Sequence, residues 1–365
     1  MLLYSINVLW IIVGAIITKV SKNLKNSRIF FYATFMMLVL TYALRSYNVG
    51  WDSLNYVDVF ASSNSIQWNN IFNHWMEFGY IALNKVVRYF TDNYNFLWLI
   101  IGLIILIPIF KIISRYSQNI MFSLLIYITL GFYYNGMNQI RQAIATSICL
   151  YAFDKIINKE YGKSILITLI ASCFHSSAII FLAFILAAWK IKDVNIKCLI
   201  NFSVITLIVF MFSNPIINFA TKFMYSQYFT ESNLIKHTKH GDLSMFIVYF
   251  AIMLFGFIYR KRYIKTFESH KKVYDMLLLA IIFSVSLQLI SVKLVMIARF
   301  SQYFTIYSCI LIPNIIKCIK NEKFKLVITY SILLCLMGYS YIYLNVSENG
   351  YGRDGVTPYQ FYWEV

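Results

Sequence analysis

The chain has 365 residues, of which 60% are hydrophobic and 18% aromatic, and its mean hydropathy is +0.65. This composition excludes an ordinary soluble domain and predicts an integral membrane protein. The formal net charge of +17 would suggest nucleic-acid binding in a soluble protein. Here the basic residues lie in short loops between apolar runs, where they orient the chain, so we predict no nucleic-acid partner.

Apolar runs long enough to cross about 30 Å of hydrocarbon recur along the whole chain. We predict an all-α polytopic fold in one integral membrane domain, residues 1–365, with outer loops at 48–93 and 214–242 and a C-terminal tail at 345–365. In the first outer loop, FGYIALNKVVRYF has the apolar spacing of an amphipathic helix near the membrane interface. The predicted runs are 2–18, 29–46, 94–112, 119–135, 138–157, 164–189, 197–213, 243–259, 273–292, 297–316 and 324–344.

The distribution of Lys and Arg predicts the topology, because cytoplasmic loops are enriched in both. If the run 164–189 begins and ends on the same face, 22 of the 32 Lys and Arg residues lie in cytoplasmic loops. If that run crosses once, the count becomes 15 inside and 17 outside. We therefore predict about ten transmembrane helices plus a broken re-entrant hairpin that turns near His175, with both termini outside the cytoplasm.

Three arginines lie at the ends of predicted spans, on the outer face. Ionisable groups at such depth are costly unless they are paired or hydrated, so each is a functional candidate, although an arginine there can also simply anchor the helix to lipid headgroups. Guanidinium groups bind phosphate bidentately, so a periplasm-facing polar cavity formed by these residues would suit a lipid-linked diphosphate. The arginines are Arg45, Arg141 and Arg299, and the acidic and imidazole groups predicted near them are Asp52, Glu77 and His175.

Proton transfer in such a cavity has two candidate bases. A neutral His175 accepts a proton near pH 7 without a large shift, whereas Asp52 would need burial to raise its pKa. Glu77 could orient either group or bind a substrate hydroxyl. Both bases stay open, and a membrane histidine can also serve only as a hydrogen-bonding partner between helices.

Polar residues at helical spacing surround one of the arginines. Asn138, Arg141 and Gln142 stand at i, i+3 and i+4 and so share one helix face. They could contact substrate or could pack spans together by hydrogen bonding. His237 and His240 have a spacing compatible with metal ligation, but no third ligand is indicated, and no nucleotide-binding loop is present. We predict neither a metal nor a cofactor.

Several motifs occur in a characteristic order along the chain. RSYNVGWDSLNYVDVF spans 45–60, and it is followed by EFGYIALN at 77–84, NQIRQAIA at 138–145, FHSSAI at 174–179, RFSQYF at 299–304 and TPYQFYW at 357–363. This ordered set resembles the EpsG family of Wzy-like O-antigen and exopolysaccharide polymerases, and the resemblance covers nearly the whole chain.

The resemblance implies a glycosyltransferase of the bacterial inner membrane, with its active site facing the periplasm. Such an enzyme joins oligosaccharide repeat units carried on undecaprenyl diphosphate, among membrane lipids, with a possible Wzz-like chain-length regulator as partner. Substrate contacts are assigned to Asn138, Gln142, Tyr56 and Tyr303. Two alternatives stay open, an O-antigen ligase-like glycosyltransferase and a transporter or flippase of lipid-linked sugars, although the sequence has no internal repeat of the transporter kind.

Overall fold

The computed structural model of the protein describes residues 2–21, 24–212, 243–293, 295–345 and 352–365. These residues form helices joined by turns, with no β-strand among them, which confirms the prediction of an all-α fold for the described part of the chain. The predicted outer loop 214–242, which includes His237 and His240, lies outside the described residues. Residues 346–351 of the predicted tail also lie outside them.

The α-helices of the described residues follow one another through short turns. In chain order they are α1 (Leu2–Ser21), α2 (Leu24–Ala43), α3 (Ser53–Ser62), α4 (Phe78–Phe90), α5 (Tyr94–Tyr116), α6 (Ile120–Thr129), α7 (Phe132–Asn138), α8 (Ile140–Ile157), α9 (Tyr161–Ser172), α10 (Ile180–Lys190), α11 (Ile196–Met211), α12 (Leu243–Thr266), α13 (Lys271–Ser291), α14 (Ile297–Thr305), α15 (Ser308–Lys317) and α16 (Glu322–Asn345). Short 3-10 helices occur at Ser63–Ser65, Trp68–Asn73, Ser176–Ile179, Glu268–His270 and Tyr362–Glu364.

The described helices identify a multi-pass membrane protein. Four of them are long and apolar enough to cross a bilayer: Tyr94–Tyr116, Leu243–Thr266, Glu268–Ser291 and Glu322–Asn345. Helices α6 and α7 together would form a fifth span, bent by 47°. The count of ten spans therefore stays a prediction. The predicted run 164–189 is broken at residues 173–175, as expected, but its re-entrant course also stays a prediction.

Two predicted spans are interrupted where the sequence suggested continuous helices. The run 119–135 breaks between α6 and α7, and the run 297–316 breaks between α14 and α15. At the first break Gly131 adopts φ +81°, in the left-handed region that side chains other than glycine rarely enter. Hydropathy alone did not detect this break, because residues 119–135 form one apolar run.

The chain divides into two compact units. The first comprises Met1–Lys155, Gly162–Ile179 and Ile319–Val365, and the second comprises Ile156–Tyr161 and Ile180–Cys318. In the first unit α2 packs on α1 and α5, α6 packs on α1 and α16, and α3 packs on α4. The predicted amphipathic helix FGYIALNKVVRYF is confirmed as α4, Phe78–Phe90, and its place in an outer loop stays a prediction. The prediction of one membrane domain is left untested by this division.

Buried tyrosines fasten the first unit by bonding backbone carbonyls. The Tyr42 hydroxyl donates to the Gly136 carbonyl over 2.9 Å, and Tyr133 donates to Leu38 over 2.7 Å. A carbonyl inside an apolar core needs a donor, and a tyrosine supplies one together with a large apolar ring. These bonds hold the short helix α7 against α2 and thereby fix the start of α8.

The C-terminal segment runs antiparallel to the residues that follow α2. The Ser46 amide donates to the Gln360 carbonyl over 2.9 Å, and the Gly50 amide donates to Gly355 over 2.9 Å. The Trp51 amide donates to the Asp354 carbonyl over 3.1 Å. The last described residues of the chain therefore hold in place the loop that carries Asp52.

In the second unit α13 packs against α11, α12, α14 and α15. Its core contains a cluster of phenylalanine rings with centroids 5.1–5.8 Å apart, from Phe181, Phe184, Phe283 and Phe304. The Arg260 guanidinium binds the buried Asp275 carboxylate through two bonds, of 2.6 and 2.8 Å. Asp275 is buried, so this bidentate pairing compensates a charge that would otherwise be costly.

We predict that Gly131→Ala destabilises the first unit. The positive φ disfavours an alanine there by roughly 1–2 kcal/mol, and its Cβ would lie 2.7 Å from the Tyr343 ring. The matched control is Gly162→Ala, because Gly162 lies in α9 and a Cβ there meets no atom within 4 Å. Thermal unfolding of the purified protein in detergent should show a lower midpoint for Gly131→Ala alone. Equal midpoints for both variants would contradict the assigned break.

Candidate functional site

The Glu77 carboxylate is the centre of a polar cluster in the first unit. Glu77 precedes the first residue of α4, yet its side chain does not cap that helix. Instead, Oε2 accepts a hydrogen bond from Arg141. The other oxygen, Oε1, lies 3.0 Å from Nδ1 of His175 and accepts the Ser176 amide over 3.1 Å. Two predicted site residues, Arg141 and His175, are therefore each in direct contact with a third, Glu77.

Local backbone geometry brings these residues together. Helix α9 ends at Ser172, and the turn that follows carries His175. The Gly79 amide donates to the Cys173 carbonyl over 2.9 Å, and a Cβ on Gly79 would lie 2.6 Å from that carbonyl oxygen. Only glycine lets the first turn of α4 approach the turn so closely. The predicted helix break near His175 thus has a defined role, since it places the imidazole beside Glu77.

Arg141 enters the cluster from the second residue of α8. Its guanidinium lies over the Trp75 ring, 5.6 Å from the centroid, and it hydrogen-bonds Tyr56. The side chains of Arg141, Glu77 and His175 are 18%, 19% and 19% exposed. The cluster is mostly shielded from solvent, which strengthens its electrostatic interactions, but it remains reachable by a ligand.

Glu77 is ionised over the whole physiological pH range. Partial burial raises its pKa, but the hydrogen bond from His175 and the charge of Arg141 outweigh burial and lower the pKa to about 2. An ionised carboxylate has acceptor sites only, so the ring nitrogen facing it must donate. In the neutral imidazole of His175 the proton therefore lies on Nδ1, and Nε2 then holds the lone pair that can accept a proton.

Asp52 lies at a different point of the first unit, in the loop held by the C-terminal segment. Its backbone amide donates to the Asn138 side-chain oxygen over 2.9 Å, and its side chain is exposed. The Asn138 amide nitrogen donates to the Asp354 carboxylate over 3.2 Å. Both ends of the Asn138 side chain are therefore engaged within the protein, and its predicted contact with substrate stays a prediction.

Asp354 is not among the site residues predicted from the sequence. Its buried carboxylate also accepts hydrogen bonds from Asn135, over 3.3 Å, and from the Tyr343 hydroxyl. Its carboxylate thereby joins α7 to α16, and its backbone carbonyl accepts the Trp51 amide of the Asp52 loop. The only sequence signal is its position just before the TPYQFYW motif, which carries no information about the distant partners.

Arg45 is buried, with a side chain that is 0% exposed. Its guanidinium lies between the Tyr42 and Trp98 rings, 4.4 Å from each centroid. One terminal nitrogen donates to the Met137 carbonyl over 2.5 Å and to the Val49 carbonyl over 3.3 Å. These contacts support a structural role at the end of α2, and its predicted role as a diphosphate ligand stays a prediction.

The remaining predicted site residues lie in two places. Gln142 is buried in α8, next to Arg141. In the second unit, Arg299 is exposed in the first turn of α14, and Tyr303 is fully buried in the same helix. The contacts described above neither support nor contradict the roles predicted for these three residues.

His74 and Trp75 were not predicted as site residues, yet they immediately precede the cluster. The His74 ring stacks on the Trp75 ring with centroids 5.8 Å apart, and Trp75 covers Arg141. Trp75 is exposed, so part of its ring can contact a ligand. Their closeness to Glu77 in the sequence is the only signal that could have pointed to them.

Comparison with known proteins identifies the family of this chain. A model of the EpsG family matches residues 28–361, nearly the whole chain. No curated protein and no solved structure matches the chain. EpsG is a Wzy-like polymerase family, so the match confirms the resemblance seen in the motifs and indicates a membrane polysaccharide polymerase. The chain belongs to the EpsG family.

Proposed function

We propose that this protein polymerises oligosaccharide repeat units carried on undecaprenyl diphosphate, at the periplasmic face of the bacterial inner membrane. The product would be an O-antigen, capsule or exopolysaccharide. The observation that supports this most strongly is the Glu77 carboxylate, which holds both Arg141 and His175. A cation and a base beside each other are what glycosyl transfer from a diphosphate requires.

His175 is the proposed general base. Its Nδ1–H points to Glu77, so Nε2 is free to take the proton of an acceptor hydroxyl. Glu77 acts as a positioning residue that fixes this tautomer, as a buried carboxylate does for the histidine of a hydrolase triad. With a pKa of about 2, Glu77 is too weak a base to remove the proton itself.

Arg141 is the proposed ligand of the donor's diphosphate. The guanidinium stabilises the negative charge that accumulates on the leaving group, and the diphosphate would share it with Glu77. Trp75, stacked over the same guanidinium, provides an exposed aromatic face on which a sugar ring can pack. Arg299 and Arg45 stay separate predictions for phosphate binding.

The proposed reaction balances without a cofactor. The acceptor hydroxyl of a newly delivered repeat unit attacks the anomeric carbon of the growing chain, forming one C–O bond. The bond from that carbon to the diphosphate oxygen breaks, and its electron pair leaves with undecaprenyl diphosphate. The hydroxyl proton goes to Nε2 of His175. A chain-length regulator of the Wzz type remains a possible partner.

Glycan length in a strain that lacks the gene tests this function. We expect a single repeat unit on the carrier or acceptor without the protein, and long chains when the wild type is restored. If the missing protein were a ligase, the deletion strain would carry no glycan on the acceptor. If it were a flippase, no repeat unit would reach the outer face. Unchanged chain lengths in the deletion strain would contradict the polymerase proposal.

Substitutions within the cluster test the assigned roles. His175→Ala and Arg141→Ala should each slow chain elongation by at least about 100-fold, the usual contribution of a general base or a charge-stabilising group. Arg141→Lys should recover only part of the rate, because lysine lacks the bidentate fork. Asp52→Asn should be less damaging than His175→Ala. The reverse order would make Asp52 the base.

Acid should remove the stabilisation that Glu77 provides. Its pKa in the folded protein lies below the ordinary value of 4.5. The ionised carboxylate therefore stabilises the fold fully above pH 4.5, by on the order of 3 kcal/mol, and less and less as the pH falls toward 2. Glu77→Gln should unfold more readily than the wild type at pH 7, and the gap should shrink by pH 3.

The matched control for this titration is Glu268→Gln, which changes an exposed glutamate in the 3-10 helix Glu268–His270. It should show the wild-type unfolding midpoint at both pH values. A gap for Glu77→Gln that is the same at pH 7 and pH 3 would mean that its charge does not stabilise the cluster.

A further inference from the structure

The His74 imidazole lies beside the cluster, and the nitrogen that carries its proton is the opposite one from that in His175. The Met76 backbone amide donates to Nδ1 of His74 over 3.1 Å. A nitrogen that accepts a hydrogen bond carries no proton, so the neutral ring has its proton on Nε2. In His175 the bond to Glu77 gives the reverse assignment. One ring therefore offers a lone pair at Nε2 and the other offers an N–H.

The neutral form of His74 suits its surroundings. Burial, followed by the positive charge of Arg141, lowers the pKa of His74. The other titratable groups of the cluster are Glu77 and Tyr56, which are both bonded to Arg141, and His175, which is bonded to Glu77. Protonation of Nδ1 would also set an N–H against the Met76 amide. His74 is thus maintained as a neutral donor.

The segment that carries His74 is braced on both sides. The Phe72 and Phe78 rings pack 4.9 Å apart, and Met76 between them is buried. The buried Lys85 ammonium of α4 donates to the carbonyls of Ser63 and Ile66, which precede this segment in the chain. A donor held on a braced segment needs little reorganisation when it binds a ligand.

We propose that His74 contacts the substrate and donates a hydrogen bond from Nε2–H to a diphosphate oxygen of the carrier lipid. This inference rests on the proposed function. No described residue accepts a hydrogen bond from His74 Nε2. The Trp75 ring links His74 to Arg141, because it stacks on the His74 ring and also contacts the Arg141 guanidinium. Arg141 supplies a positive charge that stabilises the leaving group, and His74 supplies a neutral, directed hydrogen-bond donor.

Binding of undecaprenyl diphosphate to the purified full-length protein in lipid nanodiscs tests the proposal. His74→Phe keeps a ring that can stack on Trp75 but removes the donor, and it should weaken binding by about tenfold, as expected for one hydrogen bond to a charged acceptor. His74→Gln places an amide N–H near the position of Nε2 and should recover most of the affinity. The matched control, His270→Phe in the second unit, should bind as the wild type does.

Each other outcome overturns the proposal in a distinguishable way. Wild-type affinity in His74→Phe, or equal losses in His74→Phe and His74→Gln, would reduce His74 to a packing residue and leave the proposed function intact. Failure of the wild type to bind undecaprenyl diphosphate would overturn both.

A measurement on the wild type decides the tautomer if a variant does not fold. The chain has five histidines, so 15N chemical shifts of labelled imidazoles can be assigned by substitution. At pH 7 we expect His74 to be protonated on Nε2 and unprotonated on Nδ1. A proton on Nδ1, whether in the other tautomer or in the imidazolium, would overturn the proposal.

Discussion

A partly buried carboxylate must find donors for its lone pairs, and the site depends on how Glu77 meets that requirement. Each of its oxygens is engaged: one by Arg141, the other by His175 and by the Ser176 amide. The same bonds that compensate the anion orient a cation and a base. Stability and the arrangement needed for chemistry therefore come from one set of contacts.

Interruptions in apolar helices make these contacts possible. The break after α9 presents His175 and the Ser176 amide, and the break between α7 and α8 places Arg141 at the start of a helix. Irregular backbone inside a membrane protein needs partners within the protein. Here those partners are the Gly79 amide, which donates to the Cys173 carbonyl, and the Tyr42 hydroxyl, which donates to the Gly136 carbonyl in α7.

Composition and charge position predicted much of this arrangement. Hydropathy predicted the helical class, and periodicity predicted α4. The cost of charges at span ends selected Arg45, Arg141 and Arg299, and Asp52, Glu77 and His175 were expected at the same level. The contacts of the first unit join Arg141, Glu77 and His175 from this larger set. The pairing of Asn138 with Asp354 was not predictable, because the two are 216 residues apart and neither has a distinctive local pattern. The tautomer of His74 was equally hidden, since it depends on a single backbone amide.

The central claim is that Glu77 and His175 act as one unit. A double-mutant cycle on the rate of chain elongation, in vesicles with lipid-linked repeat units, tests it most directly. The account predicts that the loss in the double variant Glu77→Ala, His175→Ala is smaller than the product of the two single losses, because much of the carboxylate's effect is exerted through the imidazole. If the two losses instead multiply, Glu77 contributes independently of His175 and the account is wrong.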